Sequence, residues 1–233
     1  MKKLNVIALL LCALLLLPGC TTPLNNTAKG GMIGGGAGAG AGALIGGLIG
    51  KGKGAAIGAA IGGGIGAGAG VLIGKKMDKA AQQAAEIEGA TVERGEITEG
   101  ENKGTEYVKV TLDSGITFPT NGTKLSKTAE SSLSRFANEL DPLFDIAICG
   151  HTDNTGSLQV NQRISLQRAQ SVANHLNTAG IAYSRLRSVK GYDYQYPVGD
   201  NATAEGRAQN RRVELYIIPS EKMIQEANQQ AAN

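Results

Sequence analysis

Apolar and polar residues follow three rhythms along this chain. A short basic start at Lys2 and Lys3 leads into the unbroken apolar run "VIALLLCALLLL". A long stretch of glycine, alanine and aliphatic residues then continues to Gly74. After about residue 100, apolar residues alternate with polar ones at the periods of helices and strands. In "SKTAESSLSRFANEL", Leu133, Phe136, Ala137 and Leu140 fall at i, i+3, i+4 and i+7, which predicts an amphipathic helix. The segment "FDIAIC" puts Phe144, Ile146 and Ile148 on one face, as a strand does. A second helix is predicted through "SLQVNQRISLQRAQSVANHLNTAG", with Ala169, Val172, Ala173 and Leu176 on one side and Gly180 as its stop. Two further strands follow in "RLRSVKGYD" and "RRVELYII", the last alternating at Val213, Leu215 and Ile217.

With "TEYVKVTL" as the first strand, the order β-α-β-α-β-β predicts an α+β domain over residues 105–218, with two helices on one face of a small sheet. Residues 77–104 read as a stalk and linker, with a short helix in "MDKAAQQAAEIE" and a strand-like "ATVERGEI". Residues 219–233 read as a polar tail that needs no fold.

Glycine usage changes the picture before this domain. Most of the 34 glycines lie between Gly30 and Gly74, in two charge-free stretches, Met32 to Gly50 and Ala55 to Gly74, separated by "KGKG" and closed by Lys75 and Lys76. Each is about as long as a helix that crosses the hydrocarbon core. Glycines recur every fourth residue, at Gly34, Gly38, Gly42, Gly46 and Gly50 and again from Gly54 to Gly74. On a helix this spacing makes a flat face on which two backbones approach closely, the packing used between membrane helices. Flexible linkers pair glycine with serine or other polar residues, whereas these stretches carry Ile, Leu and Val instead. Residues 30–76 are therefore expected to form a membrane-associated helical hairpin, similar to the glycine-zipper segments of bacterial envelope lipoproteins.

The first 19 residues have the basic and apolar parts of a secretory leader. "LPGC" at Leu17 to Cys20 resembles the bacterial lipobox, which implies cleavage before Cys20, a lipid on its sulfur and acylation of the new amine. Residues 20–29 then form a lipidated tether. Cys12 leaves with the leader, so Cys149 has no intrachain partner and is expected in the core. The 23 basic residues, less Lys2 and Lys3, leave 21 against 20 acidic ones. That balance, without clustered Lys or Arg, gives no basic face for nucleic acid.

Candidate chemistry is concentrated in "GHTDNTGSLQVNQRISLQRAQSV", Gly150 to Val172. Asn161, Ile164 and Arg168 share one helical stripe, away from the apolar one. Asp153 lies in the loop entering that helix, so an acceptor and a forked donor can converge on one hollow. A carboxylate binds an ammonium, and a guanidinium grips a carboxylate through paired hydrogen bonds. Together they suit a zwitterionic amino-acid group, such as the free end of diaminopimelate in peptidoglycan stem peptides. A plain surface salt bridge worth about 0–1 kcal/mol is the alternative that spacing alone leaves open.

"GHTDNTG", "NQRISLQRAQSV", the "GY" at Gly191 and "GRAQNRRVEL" from Gly206 resemble the OmpA-like peptidoglycan-binding domain, over roughly residues 105–218. The resemblance implies noncovalent binding of the diaminopimelate of stem peptides, with Asp153 and Arg168 as the ligand-holding pair. Asn161 matches the residue that opens the family's helix motif, and Ile164 stands where the family usually has Leu. Asn121 in "TFPTNGT" is similar to the family's polar residue after the first strand, although Pro119 replaces a common Asp. Arg212 matches the second Arg of the family's "NRRVE", at the pocket rim or in contact.

The expected role is a non-catalytic lipoprotein that ties the membrane to the cell wall, with no cofactor. Thr21 after the lipidated Cys, rather than Asp, favours outer-membrane sorting by resemblance to enterobacterial rules, which leaves the domain in the periplasm. His151 and Asp153 could suggest a metal or acid–base pair, but the other histidine, His175, lies on the second helix, and a hydrolytic zinc site needs three protein ligands. The competing function is a glycine-zipper membrane protein that assembles as a homo-oligomer or pore, with a purely structural C-terminal domain.

Overall fold

The computed structural model describes residues 67–97, 105–119 and 122–232. Cys20, most of the glycine-rich hairpin and Asn121 lie outside them. Helix α1 (Ala67–Ala85) leads into strand β1 (Ala90–Glu96), then β2 (Glu106–Asp113), a short helix α2 (Ser114–Thr117), α3 (Lys127–Glu139) and β3 (Phe144–Gly150). The long α4 (Leu158–Thr178), a 3-10 turn at Tyr183–Arg185, β4 (Leu186–Gly191), α5 (Ala204–Asn210), β5 (Arg212–Pro219) and α6 (Glu221–Ala231) complete the order.

The five strands form one sheet in the order β1-β2-β5-β3-β4, antiparallel except for the β3–β4 pair. The α+β class expected from the sequence is present, with α2 and α5 as additional helices. Register places Val108, Val110 and Leu112 beside Ile217, Leu215 and Val213, and these beside Ile146, Ile148 and Gly150. This face carries the core: its aliphatic side chains are at most 2% exposed. Helix α4 packs on β3 and β4, and α3 packs beside it.

Helix caps explain where the helices begin. Ser126, Ser157, Thr203 and Ser220 each accept a hydrogen bond from a backbone amide of the first turn of α3, α4, α5 and α6. Gly180, at φ +111°, sits just past α4 in a conformation that side chains disfavour.

Three boundaries differ from the sequence reading. First, α1 runs without a break through Gly74, Lys75 and Lys76, where the hairpin was expected to end. Ala69, Ile73, Met77, Ala80 and Ala84 form its buried stripe against α6, β1 and β2, while the lysines fall outside that stripe. Second, β1, expected in the stalk, is the edge strand of the sheet, paired with β2 from Ala90↔Leu112 to Glu96↔Glu106. Gly95 pairs with Tyr107 and leaves room for its ring, because a Cβ there would lie 2.4 Å from the phenol oxygen. Third, the polar tail folds as α6, whose Met223, Ile224 and Ala227 are buried. The apolar stripe of α1 accounts for this, since it remains covered only if a second helix lies on it.

Candidate functional site

Strand β3 ends at Gly150, and its direction continues into the loop 151–156 through two backbone bonds. His151 N donates to Arg212 O at 2.9 Å and Thr152 N to Asp193 O at 2.8 Å. The next residue, Asp153, is held by the Thr155 amide at 2.8 Å and the Arg211 guanidinium at 2.6 Å. Burial alone raises a carboxyl's pKa, but the Arg211 and Thr155 bonds outweigh it, and Asp153 lies below the ordinary Asp value. It is therefore an anion at neutral pH.

Helix α4 supplies the facing wall. Asn161 Nδ2 donates to Thr155 O at 3.0 Å and ties the helix to the loop. Arg168 Nε donates to Gly122 O at 3.0 Å, and its guanidinium lies over the Phe118 ring, 5.2 Å from the centroid. Arg168 is only 6% exposed, and burial, then repulsion from Arg211, lowers its pKa while Asp153 raises it. An arginine stays charged through such a shift. Among the described residues Arg168 has no carboxylate partner within 4.0 Å.

These groups line one cleft of about 610 Å³, whose walls include Phe118, Thr152, Asp153, Asn161, Ile164 and Arg168. Asp153, Arg168, Asn161 and Ile164, expected together from spacing and resemblance, are on it together. Pro119 lines it as well, and Asn121 is outside the described residues.

Arg212 is not on this cleft. It is 3% exposed, pairs with Glu214 at 2.7 Å and donates to Tyr196 O at 3.1 Å. Its neighbours on alternating positions, Glu214 and Tyr216, share that second sheet face and are bonded to each other at 2.6 Å. The arginines that line the cleft beside Arg168 are Arg207 and Arg211. Arg211 is the residue before β5, so the strand's alternation does not bind it. The sequence carried that signal: Val213, Leu215 and Ile217 fix the core face, which assigns Arg212 to the opposite one. Asn210 supports this edge, accepting from the amides of Val198 and Gly199 at 2.7 and 2.8 Å and donating to Gly199 O at 2.9 Å.

His151 is 1% exposed, behind the loop rather than in the cleft. Its ring stacks on Tyr192 with centroids 5.8 Å apart, and Nε2 stands 3.4 Å from Glu214 Oε2 without a well-aligned hydrogen bond. Burial holds its pKa below the ordinary His value despite Glu214.

Fold and cleft together define an α+β domain with a polar, two-signed pocket at the end of a mixed sheet. Residues 117–211 match the OmpA family, and residues 1–78 match the YMGG-like Gly-zipper family. The chain thus carries an OmpA-family domain behind a Gly-zipper segment. It is 38% identical over 110 residues to the probable lipoprotein YiaD of Escherichia coli, covering 46% of this chain and 50% of the relative. It is 40% identical over 104 residues to the peptidoglycan-binding protein ArfA of Mycobacterium tuberculosis, covering 44% of this chain and 32% of that one. The chain thus spans between about a third and a half of the length of these two relatives. Among solved structures, the cell wall anchor of the T6SS from Pseudomonas aeruginosa matches with a TM-score of 0.50 at 26% identity, over 62% of this chain and 97% of that one.

Proposed function

We propose that the cleft binds the free amino-acid end of diaminopimelate in peptidoglycan stem peptides, without covalent chemistry, and so tethers the outer membrane to the cell wall. The observation that carries this reading is the pairing of an ionised Asp153 with an Arg168 that lacks a carboxylate partner among the described residues, on one cleft. Asp153 accepts from the ligand ammonium. Arg168 receives the ligand carboxylate, and its apolar support from Phe118 keeps the fork fixed. Asn161 holds the loop and helix in register, and Ile164 contributes an apolar wall for the methylene chain. The similarity to the peptidoglycan-binding protein ArfA and to the cell wall anchor of the T6SS supports the same class of partner.

At the other end, the lipid on Cys20 and the glycine-rich hairpin hold the chain in the outer membrane, with the domain in the periplasm. A single lipid gives marginal retention, so the hairpin adds a second membrane signal. No step in this role makes or breaks a bond.

Cosedimentation with purified sacculi tests the reading. The full chain in detergent pellets with sacculi, and Asp153→Ala and Arg168→Ala stay in the supernatant while circular dichroism shows an unchanged fold. Pelleting of both folded variants as well as wild type would remove the site from the account.

A further inference from the structure

The cleft holds more positive charge than a zwitterion needs. Arg168, Arg207 and Arg211 line it, and among its described lining residues Asp153 is the sole acid. A ligand with one ammonium and one carboxylate is neutral and leaves that excess of two positive charges uncompensated.

Binding sharpens the imbalance. Arg211 Nη1 is on Asp153 Oδ2 at 2.6 Å, with its side chain 42% exposed. A ligand ammonium that reaches Asp153 brings another positive charge beside Arg211. Arg211 already lowers the pKa of Arg168, so the guanidiniums repel one another across the cleft. A second ligand carboxylate between Arg207 and Arg211 relieves both contacts.

Arg207 is placed for this. Its Nη1 donates to Asn201 O at 2.9 Å and to Ala202 O at 3.1 Å, which holds one arm of the fork on the backbone and leaves Nη2 and Nε for a ligand. Among the described residues it has no carboxylate within 4.0 Å. The backbone beneath it is closely packed, since a Cβ on Gly206 would lie 2.1 Å from Asp200 O. An arginine has five N–H donors, so donors remain on both side chains after these bonds.

We infer that Arg207 and Arg211 receive a second carboxylate of the same ligand, so that the cleft selects an anionic stem peptide over its amidated, charge-neutralised counterpart. This rests on the diaminopimelate reading above, which assigns only the ammonium and one carboxylate. The chemical group is the free α-carboxylate of a γ-linked glutamate that precedes diaminopimelate in the peptide.

Calorimetric titration of the full chain in detergent with two tripeptides tests it. Both are L-Ala-γ-D-Glu-meso-diaminopimelate, one with the free glutamate α-carboxylate and one with its carboxamide. Wild type is expected to bind the carboxylate form about tenfold more tightly, the effect of one charge-assisted contact. The ratio shrinks as salt rises, because the site is partly open to solvent. Arg207→Gln and Arg211→Gln weaken the carboxylate peptide and bring the ratio to about one. Equal affinity of wild type for the two peptides would overturn the inference while leaving the diaminopimelate site intact, as would an unchanged ratio in both variants. Failure of wild type to bind either peptide would overturn the underlying reading and this inference with it.

Discussion

Gly150→Ala is a direct probe of how the fold builds the cleft. Gly150 ends β3, three residues before Asp153, and a Cβ there would lie 2.0 Å from the backbone oxygen of Ser165 on α4. Gly191 makes the matching approach from β4, with a Cβ 2.4 Å from Leu166 N. The two glycines thus seat the helix one turn before Arg168 directly on the strand ends. Ordinary Cβ contacts are not found below 3.0 Å, so the alanine variant must open this contact by about 1 Å. The obstacle is helix backbone and cannot rotate away. Overpacking of this kind costs about 1–3 kcal/mol, and for a folded region of this size about 2–4 °C of Tm per kcal/mol, so Tm should fall by about 2–12 °C. Displacing α4 also moves Arg168 from Asp153, so the folded fraction should bind stem peptide about tenfold or more weakly. Differential scanning calorimetry and titration at a temperature where the variant is folded measure the two effects. Native Tm with native affinity would refute the claim that this contact sets the cleft.

Three further outcomes follow from the fold and the leader. His151 has a folded pKa below its ordinary value, so the unfolded chain binds its proton first and stability falls as pH drops below about 6.5. Glu214, with a lowered pKa, loses its contribution only at still lower pH, so a decline in urea midpoint between about pH 6.5 and 5 that flattens in His151→Gln is expected, and an unchanged slope would remove His151 as its source. Ile224→Ala, at a site 1% exposed, should cost about 2–5 kcal/mol in urea unfolding, whereas a tail without a fold would show no change. Fatty-acid labelling in cells should mark the wild type and not Cys20→Ser, and a labelled Cys20→Ser chain would place the lipid elsewhere.

Where a segment's own side chains fix its period, the fold was legible in the sequence. The stripes of α3 and α4 and the alternation of β3 and β5 depend on strong aliphatic patterns, and Ser126, Ser157 and Gly180 mark helix ends chemically. Segments whose place in the fold depends on a distant partner were read without that partner. Helix α6 carries three buried apolar residues in an otherwise polar run, too few to declare a fold without α1 beside them. Strand β1 puts Ala90 and Val92 on one side together with the charged Arg94 and Glu96, a pattern that reads as strand-like but gives no sign of the pairing with β2 that brings it into the sheet. In the site, Asp153 and Arg168 were legible from loop and helix spacing taken together with the resemblance of the surrounding motifs, since spacing alone left a plain salt bridge open. Arg211 was missed: the alternation of Val213, Leu215 and Ile217 turns Arg212 to the second sheet face with Glu214, but Arg211 lies one residue outside the strand, where no period assigns it to the cleft.

Recognition of a zwitterion is the central claim, and a titration that changes only one ligand group tests it most directly. Full chain in detergent is titrated with a stem peptide carrying diaminopimelate and with the same peptide carrying lysine, which keeps the ammonium and lacks the carboxylate. Loss of a charge-assisted contact to Arg168 is worth about 1.5–3 kcal/mol, so the lysine peptide should bind wild type about ten- to a hundredfold more weakly. Arg168→Lys, which keeps the charge but not the planar fork, should lose most of that preference. Equal binding of the two peptides to wild type would contradict the account.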